Sequence, residues 1–216
     1  MPRFIMLGWM ISWLLTGTAY SQISEPRILT ATEKIAHDYF RVSPFNKDFS
    51  TFLSRLMNDP AVTEKKINRK TDSTLFFMEA LYTTHQPFFF KPEKVKVIIS
   101  ERETEADSLN APQPFFIYQL VGYAPGGMDG RTDVEKEYEK LVKKYTRSFD
   151  MNQPRELKDG DKVTGEIRDF YFANVSFAPV TLAWSSNTEN GNVFAITIRF
   201  LMFDNRAFLP VATYRF

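Results

Sequence analysis

Residues Phe4 to Leu15 (FIMLGWMISWLL) form a short, almost unbroken apolar run. Together with a residue type the chain lacks, they constrain its fold more than any other stretch. Arg3 gives the run a basic start, Thr16-Gly17-Thr18 loosens it, and Ala19 and Ser21 put small residues at the −3 and −1 positions of a cut before Gln22. That is the layout of a secretory signal peptide. A spanning helix needs about 20 apolar residues, so the run suits a membrane anchor, or a buried helix, less well. The missing residue is cysteine. A domain exported without cysteine has no disulfide and no lipid-bearing thiol, so burial alone must hold it together. The expectation is a cleaved leader over residues 1–21 and a single domain over residues 22–216, free in the periplasm or at the cell surface and not membrane-spanning after cleavage.

The 21 phenylalanines answer that need, because each ring buries a large apolar area. Removing Arg3 from the 27 basic residues leaves 26 against 26 acidic ones, a formally neutral mature chain. Such a balance offers nothing to attract nucleic acid or an anionic membrane. Without cysteine, thiol catalysis, thiolate metal sites and disulfide exchange are excluded.

Patterning divides the mature chain into helices and strands. Gln22 to Leu29 reads as an extended leader containing Pro26. Thr30 to Phe40 reads as a helix, with Thr30 and Glu33 at capping-box spacing. Ile35, Ala36, Tyr39 and Phe40 lie on one face of it. Phe49, Phe52, Leu53, Leu56 and Met57 form an amphipathic stripe over about Lys47 to Met57, ended by Asp59-Pro60. Glu64 to Ser73, polar and basic, reads as a loop. Thr74 to Thr83 reads as a buried strand, Glu93 to Glu101 as a half-buried one and Phe115 to Tyr123 as a third. Thr132 to Phe149 is a helix with its own Thr132/Glu135 capping pattern. Val163 to Phe177, Val180 to Ser186, Val193 to Phe203 and Ala207 to Phe216 are strand candidates, with turn signals at Asn190-Gly191 and Asp204-Asn205. The order predicts an α+β domain: an antiparallel, curved sheet of about seven strands packed with three amphipathic helices.

Candidate sites are few. The histidines, His37 and His85, have no paired spacing, so no histidine zinc motif exists. His85 lies in the aromatic segment HQPFFF and is the better candidate for a functional role. Phe88, Phe89 and Phe90 are consecutive, so alternation cannot bury all three, and at least one must point to a second layer, a ligand or a partner. Trp184, the only tryptophan of the mature chain, alternates with Leu182 as a core residue would, and stacks on a ligand if exposed. Glu101, Glu103, Glu105 and Asp107 alternate, as calcium ligands on one side of a strand would, but they continue the parity of Val95, Val97 and Ile99 and suit a strand end running into solvent. No G-x-S-x-G elbow, Ser-x-x-Lys pair or phosphate-cradling loop is present. No cofactor is therefore expected.

The segment FSTFLSRLMNDP, Phe49 to Pro60, resembles the opening of uncharacterised exported α+β domains of Bacteroidetes. Phe49, Phe52, Leu56 and Asp59 carry the match. The resemblance implies a helix set against a curved antiparallel sheet in an envelope protein, and transfers no active site. Ser73 and Ser108, in Asp72-Ser73-Thr74 and Asp107-Ser108-Leu109, resemble the O-glycosylation acceptors of exported proteins of that group. The expected function is non-catalytic binding of an envelope partner protein or of a small apolar or sugar ligand. A carboxylate-dependent envelope hydrolase using Glu101, Glu103 or His85 is the first alternative. An outer-membrane β-barrel, suggested by the parity of Phe208, Ala212, Tyr214 and Phe216, is the second.

Overall fold

The computed structural model describes residues 25–43, 49–71, 74–83, 87–103, 114–173, 177–187 and 193–203. The expected leader, the strand expected over Ala207 to Phe216 and both turn signals lie outside them.

The chain opens with two helices, α1 (Glu25–Tyr39) and α2 (Phe49–Asn58). α1 starts earlier than its periodicity predicts, and the expected extended leader is helical from Glu25. Pro26 is no obstacle, because in a first turn its missing N–H has no intrahelical partner to lose. The predicted stripes are the packed ones: Ile35, Ala36, Tyr39, Phe40, Phe52 and Leu56 are buried. Asp59 turns the chain out of α2. Its carboxylate accepts the Ala61 N–H at 2.8 Å and pairs with the Arg41 Nε at 3.3 Å. Lys65 Nζ donates to the Met57 carbonyl at 2.7 Å, satisfying one of the helix's unpaired C-terminal acceptors.

Eight strands follow, with a third helix between the fourth and fifth: β1 (Val62–Thr71), β2 (Thr74–Tyr82), β3 (Lys94–Glu103), β4 (Pro114–Ala124), α3 (Met128–Thr146), β5 (Met151–Asp159), β6 (Lys162–Tyr171), β7 (Val180–Asn187) and β8 (Val193–Phe203). They form one open antiparallel sheet in the order β1-β2-β3-β4-β8-β7-β6-β5. Four consecutive strands thus lie on each side of a central β4–β8 seam. Travel from β4 to β5 crosses four strand spacings, about 19 Å. The nineteen residues of α3 span roughly 28 Å, enough to carry the chain across.

The α+β class and antiparallel sheet are as predicted, but the described residues hold eight strands rather than about seven. The segment Glu64 to Ser73, expected as a loop, supplies most of β1, and β5 is a strand that patterning did not predict. Both are edge strands. Glu64, Lys66, Ile67 and Asn68 are exposed, as is most of β5, so neither shows the period-two signal of a half-buried strand. The neighbouring strand supplies the hydrogen bonds that define them. Both edges are also blunted against further pairing. β1 carries an irregularity between Thr63 and Lys66, with Glu64 at φ 48°. β5 carries Pro154 and a shift between Leu157 and Lys158.

α3 begins at Met128 with Gly127 as N-cap, at a φ of 96° that suits glycine. The Thr132/Glu135 box predicted as its start is not used: Thr132 Oγ1 lies inside the helix and donates to the Met128 carbonyl at 3.0 Å.

All three helices cover the same face of the sheet, through aromatic contacts. Phe40 stacks on Tyr118 with centroids 3.9 Å apart and meets Phe200 edge-on. Phe49 stacks on Phe116 at 4.0 Å, Phe52 meets Tyr118 edge-on, and Tyr145 meets Phe170 in the same way. Phe52 is 1% exposed. Phe52→Ala is therefore expected to cost about 3–5 kcal/mol, read by urea unfolding. A cost below about 1 kcal/mol would mean that α2 does not rest on this contact.

Candidate functional site

Between β2 and β3 the chain crosses the helix-covered face as Pro87-Phe88-Phe89-Phe90. The three rings separate, although the segment lies outside the strands whose alternation predicted it. Phe88 is buried, Phe90 is half-buried and Phe89 is 73% exposed. Phe88 seats on Gly122 of β4, where a Cβ would fall 2.4 Å from its Cε2 and 2.6 Å from its Cδ2. Tyr39 of α1 and Phe90 flank it, with centroids 6.1 and 5.7 Å away.

A buried acid holds this segment in place. Glu137 of α3 is 2% exposed and accepts the Phe89 N–H with both carboxylate oxygens, at 3.3 and 3.2 Å. Burial raises its carboxyl above the ordinary value, against the opposing pull of the Phe89 and Phe90 N–H groups and the Lys140 and Lys144 charges. Lys140 Nζ lies 5.1 Å from the Phe89 ring centroid, in a cation–π contact. The exposed ring is thus carried on a backbone fixed from below.

Trp184 belongs to the same cross-strand row as the seat of Phe88. Gly122 pairs with Ile196 and Ile196 with Trp184, which places Trp184 two strands, about 10 Å, from Gly122. α3 nevertheless separates it from the phenylalanines. Val134, Tyr138, Leu141 and Tyr145 of that helix face the sheet and are buried. At helical spacing, Glu137, Lys140 and Lys144 fall on one flank of this stripe and Arg131 on the other. Lys144 binds Asp38 of α1 at 2.6 Å. On the opposite flank the Arg131 guanidinium lies 5.9 Å from the Trp184 ring. Glu166, the cross-strand neighbour of Trp184, accepts from the Tyr138 hydroxyl and from Arg168 Nη2, both at 2.6 Å. Trp184 is packed against the core with part of its ring exposed. It therefore does not join the Phe88–Phe90 surface in one pocket.

Of the remaining candidates, Glu101 is half-buried and Glu103 exposed at the end of β3, while Val95, Val97 and Ile99 before them are buried. The described part of the acidic row, Glu101 and Glu103, is a strand end running into solvent. Among the described residues no group of three or more His, Asp or Glu side chains could hold a metal. His85, Glu105, Asp107, Ser73 and Ser108 lie outside the described residues. Glu137 is the residue that patterning missed. The helix read as covered with Glu and Lys outside its stripe, yet Glu137 sits three residues after Val134 and four before Leu141, at core spacing. Among the described residues no helix is long and apolar enough to cross a membrane.

Set against protein-family models, curated proteins and solved structures, the chain matches none of them.

Two measurements check this geometry. Gly122→Ala is expected to push Phe88 off its seat and cost about 1–3 kcal/mol through overpacking; unchanged stability would mean that Phe88 is not packed there. For Glu137, a raised folded-state value means that its contribution to stability is fully present below the ordinary glutamate value of about 4.3. It is lost as pH rises through the raised value. Glu137→Gln carries no charge at any pH, so wild type should lose stability relative to this variant as pH rises above the ordinary glutamate value. A gap that does not change with pH in urea unfolding would contradict a desolvated Glu137.

Proposed function

We propose that the chain is an exported, non-catalytic binding module that docks an envelope partner protein through Phe89. One observation carries the reading: a large aromatic side chain stands 73% exposed while its own backbone is bonded to a carboxylate buried beneath it. Loose exposed rings are common, but a ring presented on a fixed backbone is ready to bind, because little ordering entropy remains to be lost. Phenylalanine, like the other aromatic residues, contributes strongly to interface energetics through the large area its ring buries.

Charge narrows the partner. Lys140 lies against the ring, Lys136 and Lys143 are exposed at helical spacing around it, and Lys91 is exposed two residues along the chain. An apolar pocket rimmed by carboxylates complements an aromatic ring set among lysines. Export rests on the apolar leader and its small-residue cut site, and places the encounter in the periplasm or at the cell surface.

The test is a photo-crosslinking amino acid introduced at position 89 in the producing cells, with position 163 as control, since Val163 is also exposed (45%) but lies on β6. A single protein partner is expected at 89 and none at 163. Phe89→Ala should abolish capture of that partner while changing unfolding stability by less than about 0.5 kcal/mol. Identical crosslinks at both positions, or capture that survives Phe89→Ala, would refute the reading.

A further inference from the structure

The face of the sheet away from the helices carries a second arrangement, independent of Phe89. Asp169 of β6 is one of the few buried acids, its side chain 7% exposed. Pairing places Asp169 beside Thr181 of β7, and Thr181 beside Arg199 of β8, so the three side chains lie in one cross-strand row. The Thr181 hydroxyl donates to Asp169 Oδ1 at 2.7 Å, and Arg199 Nη2 donates to the Thr181 oxygen at 3.1 Å and stands 3.9 Å from Oδ1. On the other side Arg155 Nη2 of β5 donates to Asp169 Oδ2 at 2.6 Å. One buried carboxylate thus fixes two guanidinium groups, one through each oxygen.

That carboxylate does not neutralise the site. The charges of Arg155 and Arg102 both act on Arg199, opposed by Asp169 and, more weakly, by the Tyr171 hydroxyl. Burial is the largest influence lowering the value of the Arg199 guanidinium, and those two arginines lower it further. The Tyr171 hydroxyl lies in the field of the same Asp169, Arg155 and Arg199. Each guanidinium has five N–H donors, and the bonds above use one nitrogen of each. The side chains of Arg155 and Arg199 remain 55% and 41% exposed, so a solute can reach the unused donors. A pair needed only to pin the edge strand would be complete with one arginine and one acid.

We propose that Arg155 and Arg199, oriented by Asp169, form a binding site for an oxyanion, the carboxylate or phosphate group of a solute or partner. The guanidinium fork matches either group. Asp169 is a positioning residue, and Thr181 relays its hold to Arg199.

The test is titration of the protein with inorganic phosphate and, separately, with acetate, followed by the arginine side-chain N–H signals in NMR spectra. Saturable shifts at Arg155 and Arg199 are expected. A preference for phosphate assigns a tetrahedral ligand, and a preference for acetate a planar one. Arg199→Gln and Arg155→Gln should each weaken binding at least about tenfold. Arg131→Gln, on the helix-covered face, should leave it unchanged. Arg155 lies on the exposed edge strand, so its variant keeps the test open if Arg199→Gln fails to fold. Absence of saturable binding in wild type, survival of binding in both arginine variants, or an equal loss in Arg131→Gln would overturn the site. None of these outcomes bears on docking at Phe89, which lies on the other face.

Discussion

Stacking of Phe40 on Tyr118 and of Phe49 on Phe116 is the contact on which the other parts of the molecule depend. A chain without cysteine has to fasten its N-terminal helices to the sheet by packing, and these rings do so at β4, one of the two seam strands. With α1 fixed, Tyr39 closes one side of the Phe88 seat and Asp38 receives Lys144 of α3. Tyr118 is fully buried, and its hydroxyl lies with that of Tyr82. Burial pushes Tyr82 up to about 12 and raises Tyr118 as well, so both remain neutral within the core.

The same helix-covered face exposes one ring by design of its surroundings. Glu137 is desolvated, which is unfavourable for a carboxylate, and its compensation is the Phe89 N–H. The bond leaves the Phe89 side chain no inward route: Phe88 already fills the space over Gly122. Of the three consecutive phenylalanines, the buried acid fixes Phe89 as the one that points outward. The opposite face uses a buried acid differently, with Asp169 orienting two arginines that remain within reach of solvent.

Much of this architecture was legible in the chain. The stripes of α1 and α2, the alternation of β3 and the seam strands β4 and β8 are strong signals because each element buries one face. β1 and β5 were not legible, since an edge strand exposed on both sides has no hydrophobic period, and its partner rather than its own residues decides its conformation. The start of α3 was hidden by a better-looking cap at Thr132, whereas Gly127 begins the helix. Among candidate site residues, strand alternation was the ground for expecting Phe88, Phe89 and Phe90 to part, yet the three lie between β2 and β3, outside any strand, and their separation comes from the Gly122 seat and the Glu137 bond. The partition of Phe89 and Trp184 by α3 was not legible, because it depends on how the helix lies across the sheet. Glu137 and Asp169 escaped notice for one reason: a lone acid reads as a surface residue until its partners, 48 and 12 residues away, are brought to it.

Hydrogen exchange at the Phe89 amide tests the central claim most directly, because it separates a presented ring from a loose one. The account predicts an amide protected to the level of the core strands β4 and β8, although the side chain of the same residue is open to solvent. Exchange at the rate of an unprotected peptide would contradict it, since the ring would then be exposed only because its segment is free to move.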